Sequence, residues 1–310
     1  MLQKTISKIV TIEGNGLHTN NHCTVTLHPA DINHGIVFQR VDLPKRPSIK
    51  AIANNAAEFN RNTVIKNDVM SVATLEHFMA TFFLLGISNI LVEITNEEIP
   101  ILEGSAKLIY EALKDNIIEQ NTEQQLFTIT DRIICEDSQN SSKIEAFANE
   151  IGDDNLNIEV TIDFKEPVGR HTVAIVIPNH SNHIDFEKFS PIITARTFVF
   201  ASELTFLLSH NLIKGGNINN ALVFVDANLP QNIIDELKTL FNCENLNVTP
   251  DGTFNNTPFR SSNEPAYHKT LDFIGDISLL GMRISGTIKA YKPGHSINAK
   301  FTKSLLNNIK

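Results

Sequence analysis

The chain reads as an α+β protein of two layers, each a sheet covered by helices. Three observations predict this. Segments rich in β-branched residues precede helical patterns, and that order occurs twice. A polar stretch without periodicity, 119–125, separates the two rounds. The 310 residues, 42% of them hydrophobic, are enough for two cores of ordinary size. The expected division is an N-terminal unit over 1–120 and a C-terminal unit over 126–310, with 119–125 as the linker.

In the first unit, 3–13, 23–28 and 35–41 show partial alternation and read as strands, with turn signals at Gly14-Asn15-Gly16 and His34-Gly35. An apolar run follows over 71–85. Ser71 is its candidate N-cap and Gly86 its candidate stop, so a helix carries Glu76-His77. Ala73, Leu75, Phe78, Met79, Phe82 and Phe83 make it apolar nearly all round, the mark of a buried helix. Segment 89–94 alternates as a strand, and 100–104 turns into a helix over 105–116. In the second unit, strands are expected at 127–135, 143–148, 155–164 and 172–177. Helices fit 201–211 and a segment capped by Ser262 or Asn263, with Pro265 in its first turn and Gly281 after its end. Segments 220–225 and 284–291 read as strands, Pro293-Gly294 as a turn and 297–309 as the final helix.

A formal charge of -9 argues against a general nucleic-acid binder. Cys23, Cys135 and Cys243 are odd in number, far apart and without a CxxC pair, so neither a disulfide frame nor a thiolate metal site is expected. No run of 18 apolar residues occurs, and the N-terminus lacks a signal-peptide core, so a cytoplasmic protein is expected. There is no Gly-x-Ser-x-Gly elbow, and His22-Cys23 falls in a strand, which leaves Ser or Cys nucleophiles unsupported. Gly14-Asn15-Gly16 lacks the third glycine and the following helix of a phosphate loop, and reads as a hairpin turn.

The chemistry lies elsewhere. His268 and Asp272 are four apart in a helical pattern and therefore share a face, with Asp276 one turn further. Together with His77 they make two imidazoles and a carboxylate, which leave a fourth tetrahedral position open for water, as in catalytic zinc sites. Glu76, beside a ligand, is a natural base for that water. His295, after Lys292-Pro293-Gly294, is expected on a rigid turn and can act as acid or base near neutral pH. Taken singly, each segment also fits a plain alternative: a polar edge on a buried helix, an i,i+4 surface pair, an exposed turn histidine.

Taken together, these segments resemble, in order, the bacterial UDP-3-O-acyl-N-acetylglucosamine deacetylases. The matches are Gly14-Asn-Gly-Leu-His18-Thr19, Thr74-Leu-Glu76-His77, Ile99-Pro-Ile-Leu-Glu-Gly104-Ser105, Ala195-Arg-Thr197-Phe198, Lys214-Gly-Gly216, His268-Lys269-x-x-Asp272-x-x-Gly-Asp276 and Lys292-x-Gly-His295. The resemblance implies two β-α-α-β layers with the active site between them, and zinc held by His77, His268 and Asp272. It makes Glu76 the general base and His295, oriented by Asp276, the cationic partner of the departing amine. Thr197 would meet the oxyanion, and Phe198 would pack near the sugar or acyl group. Lys269 and Lys292 would meet the diphosphate and polar head, and His18 and Gly216 would join the substrate site. The substrate implied is a UDP-linked acyl glucosamine, losing its N-acetyl group early in lipid A synthesis, on a protein expected to be a monomer. A non-catalytic acyl-sugar-nucleotide binder and a zinc amidase for another substrate are the rival readings.

Two positions depart from the family pattern: Tyr267 where an Arg commonly precedes the zinc His, and Glu103 where an Asp is usual. Some relatives carry a fused hydroxyacyl-carrier-protein dehydratase beyond this region. Both a single-function chain and a piece of a fusion fit the sequence.

Overall fold

The computed structural model describes residues 1–57, 61–180, 185–210, 212–226, 229–241, 243–254 and 258–309. In the first half, β1 (Leu2–Ile6), β2 (Val10–Asn15), β3 (His22–Pro29), β4 (Ile36–Arg40), β5 (Ser48–Lys50), β6 (Val64–Lys66) and β7 (Ser71–Ala73) lead into α1 (Glu76–Leu85). After it come β8 (Ile90–Ile94), α2 (Lys107–Leu113) and β9 (Ile117–Glu123). The second half holds β10 (Leu126–Thr128), β11 (Ile133–Asp137), β12 (Ser142–Phe147), β13 (Leu156–Asp163), β14 (Arg170–Ile177), α3 (Phe186–Ile193), β15 (Phe198–Phe200), α4 (Ala201–Ser209), β16 (Leu222–Phe224), α5 (Gln231–Leu240), α6 (Glu264–Ser278), β17 (Arg283–Tyr291) and α7 (His295–Asn307). Residue 211, the expected end of the α4 segment, lies outside the described residues.

The two main sheets share a plan. One runs β2-β3-β8-β4-β5, the other β11-β12-β17-β13-β14 with β10 also on β17. Each is antiparallel except at a central parallel pair, β4/β8 and β13/β17, apart from the short β10 beside β17. Alternation sets the faces: in β3, Cys23, Val25 and Leu27 are buried while His22 is exposed. Helices α1 and α6 lie against each other between the sheets. That position explains why every residue of α1 is buried. The architecture is α+β, two layered units with the helices at the seam.

Three expectations are corrected. Ser71 is not a helix cap; it belongs to β7, which pairs with β6, and α1 begins only at Glu76 behind Leu75 without a side-chain cap. Segment 119–125 is not a structureless linker, because most of it is β9, antiparallel to β1. His295 is not on a turn but is the first residue of α7, behind Gly294. Gly86 does stop α1, with φ 73° and its N–H on the Phe82 and Phe83 carbonyls. Arg283 closes the same end, donating from Nη1 to the Phe83 carbonyl at 2.9 Å. Burial lowers this guanidinium to about 10.

Candidate metal centre

Close passage of α1 over α6 at Gly275 sets the first turn of α1 beside the middle of α6. Three ligand-capable side chains, His77, His268 and Asp272, then place their donor atoms within 4.8 Å of one another. His77 Nε2 and His268 Nε2 stand 3.6 and 3.4 Å from Asp272 Oδ1. The two rings meet edge-on, 5.2 Å between centroids. His268 Nδ1–H donates to the Ala195 carbonyl at 3.1 Å, which fixes the tautomer and leaves Nε2 free to ligate.

The donor set suits a divalent metal. Burial lowers His268 to about 4, so its ring is neutral, as a ligand must be. Burial works against the Asp272 carboxylate, but His268, Lys269, His77 and His295 outweigh it and hold the group ionised. Two imidazoles and one carboxylate match the ligands of an open tetrahedral site.

Glu76 and His295 share a cavity with this set. Burial raises Glu76, and the nearby His295 and His77 only partly oppose it. Its Oε2 accepts the Thr63 N–H at 3.0 Å. His295 moves the other way for a buried imidazole. Burial would lower it, but Asp276, followed by Glu76 and Asp272, raises it to about 9. His295 Nδ1–H donates to Asp276 Oδ2 at 3.0 Å, and Nε2 stands 3.9 Å from Asp272 Oδ2. Asp276 is held in turn by the Thr63 hydroxyl and by Asn298 Nδ2 at 2.8 Å.

All six of these residues except Asp276 line a cavity of about 270 Å³, with Arg61, Thr197, Phe198 and Lys269 among its walls. Lys269 Nζ donates to Asp272 Oδ2 at 2.9 Å and lies over the Phe198 ring. Thr197 and Phe198 also line a narrower apolar cavity of about 80 Å³ with His18, Gly216, Leu204 and Leu207. Lys292 lines neither cavity; with φ 50° it follows the last residue of β17, its N–H on the Thr161 carbonyl. A larger cavity of about 480 Å³ lies at the other ends of α1 and α6, and contains none of the three ligand-capable residues.

Sequence reasoning missed Thr63, Asn298 and the Ala195 carbonyl. Asn298 follows His295 by three residues, a signal that required placing His295 in a helix. Glu103, one of the two departures, pairs with Arg260 at 3.2 Å, and Arg260 also donates to the Thr194 carbonyl.

A trio of possible metal ligands that shares a cavity with a buried carboxylate and a second imidazole has the donor set of an open metal site, set in an α+β fold. The family model described as LpxC, UDP-3-O-acyl N-acetylglycosamine deacetylase, matches residues 3–238 and 235–307, and the chain belongs to that family. It is 38% identical to the bifunctional enzyme LpxC/FabZ of Porphyromonas gingivalis, over 99% of this chain and 65% of that one. It is 32% identical to the UDP-3-O-acyl-N-acetylglucosamine deacetylase of Bdellovibrio bacteriovorus, over 98% of this chain and 89% of that one. The corresponding protein of Saccharophagus degradans is 34% identical, over 99% and 90%. The chain thus spans about 65% of its bifunctional relative.

Proposed function

We propose that this chain hydrolyses the N-acetyl group of a UDP-3-O-(3-hydroxyacyl)-N-acetylglucosamine, releasing acetate and the free amine early in lipid A biosynthesis. The observation that carries the reading is that Glu76 and His295 line one cavity with His77, His268 and Asp272. Zinc on those three residues would polarise the acetamide and lower the pKa of a water towards about 7. Glu76 accepts the proton of the attacking water. Burial brings its basicity closer to neutral pH, which improves proton transfer. The Thr197 hydroxyl donates to the developing oxyanion, an interaction of a kind worth about 3–4 kcal/mol. As the C–N bond breaks, His295 gives its Nε2 proton to the leaving amine, while Asp276 holds the ring by Nδ1.

Phe198 and Lys269 flank the sugar, and Lys292 is assigned to the polar head. The acyl chain takes the apolar cavity walled by Leu204, Leu207, Val223 and Phe241, with His18 and Gly216 at its side. A cytoplasmic location belongs to the same proposal; among the described residues no helix is long and apolar enough to cross a membrane. A non-catalytic binder would have no use for a base at Glu76. Incubation of the metal-loaded protein with the UDP-linked acyl-N-acetylglucosamine, followed by mass spectrometry, is expected to show acetate and a free amine in equal amounts. Intact substrate would overturn the proposal.

A further inference from the structure

The motif Gly14–Thr19 is explained by the fold only in part. Gly215 presses on it, since a Cβ there would stand 2.2 Å from the Gly16 carbonyl oxygen. The other constraint is Glu98, a carboxylate 2% exposed. Its Oε1 accepts the His18 N–H at 2.7 Å and the Thr74 hydroxyl at 3.1 Å. Its Oε2 accepts the Thr19 N–H at 2.8 Å and the Thr19 hydroxyl at 2.6 Å. Four donors meet four acceptor positions, so the group is fully used. A Cβ on Gly16 would stand 2.3 Å from Oε2, which leaves glycine the residue that fits there.

This one carboxylate joins two parts of the site. His18 lines the apolar cavity, and both its ring nitrogens are buried without a hydrogen-bond partner among the described residues. Thr74 has φ 63°, an outlier for a β-branched residue, and stands two residues before Glu76. Its N–H bonds the carbonyl of Thr63, the residue that holds Glu76 and Asp276. We propose that Glu98 is a positioning residue: one carboxylate fixes both the His18 wall of the apolar cavity and the strained entry to α1, and so sets the acyl chain in register with the base. This rests on the deacetylase reading above. An amide cannot replace it, because in either orientation its NH₂ would face a backbone N–H that cannot turn away, that of His18 or Thr19.

The test compares Glu98→Gln, Thr19→Val and Thr74→Val for kcat and KM on long- and short-chain substrates, with folded fraction and metal content measured alongside. Glu98→Gln should lose about 10- to 100-fold in kcat/KM at unchanged metal content. Thr19→Val should raise KM for the long-chain substrate more than for the short one, whereas Thr74→Val should lower kcat. Long-range ¹H–¹⁵N spectra of the imidazoles need no turnover: the His18 signals should move in Glu98→Gln and Thr19→Val. If Glu98→Gln does not fold, the two threonine variants decide by the same criteria. Absence of wild-type turnover would overturn the deacetylase reading, while the His18 signals would still report on Glu98. Unchanged KM and His18 signals, with kcat following only the folded fraction, would overturn the positioning role.

Discussion

Gly275 of α6 lies directly against the backbone of Glu76 on α1: a Cβ on Gly275 would stand 2.3 Å from the Glu76 carbonyl oxygen. Glu76 and His77 reach α6 because no side chain intervenes.

Gly275→Ala must therefore push the helices apart. Overpacking of this kind costs about 1–3 kcal/mol, and it moves Glu76 and His77 away from His268 and Asp272. Thermal melts and metal titration of the variant are expected to show a lower Tm and weaker metal binding together. Wild-type metal affinity would show that the close crossing is incidental.

His77→Ala, His268→Ala and Asp272→Ala are each expected to lose the metal, since two remaining protein ligands make a poor site. Elemental analysis of folded protein checks this for each. A fully loaded Asp272→Ala would remove that residue from the ligand set.

The pH profile of kcat/KM should be a bell. His295 is raised to about 9, with Asp276 the largest favourable cause, so it stays protonated at neutral pH and is lost as pH rises through that value. Glu76 must be ionised, and burial moves its limb above the ordinary carboxylate range. Asp276→Asn should shift the falling limb to lower pH, towards about 6.5. The limbs belong to a coupled group, so the shift between proteins is the quantity to measure. An unmoved limb in Asp276→Asn would mean that another group supplies the acid.

Arg196 and Glu264 form a buried ion pair at 2.8 Å that ties the Ala195–Phe198 segment to the start of α6. Burial opposes the Glu264 carboxylate, but hydrogen bonds from Arg196 and Arg260 lower it below its ordinary value. Its folded pKa is below its unfolded one, so its stabilisation is full above about pH 4.3 and is lost as pH falls through the folded value. Glu264→Ala leaves Arg196 without that carboxylate and is expected to cost about 3–5 kcal/mol in a denaturant titration at pH 7. The difference from wild type should narrow in acid.

Much of this was legible in the chain because it is local. The spacing of His268, Asp272 and Asp276 on one helix face, and an apolar run holding Glu76-His77, are readable without coordinates. Helix α5 carries a local signal too, Ile233, Ile234 and Leu237 at helical spacing. Other features rest on distant partners. Thr63 reaches Asp276 across 213 positions, and nothing near residue 63 announces it. The polar segment 119–125 becomes a strand because β1 supplies its ladder and Asn89 donates to Gln120. Ser71 looks like a cap only while β6, its pairing partner, is out of view.

If Glu76 takes the proton while His77, His268 and Asp272 hold the metal, metal content and acetate release must part ways in Glu76→Gln. The amide has the same size but cannot accept the proton, and loss of a general base costs about 100- to 10,000-fold. Wild-type metal content with turnover reduced by that factor is the expected result. Near-normal turnover at normal metal content would contradict it.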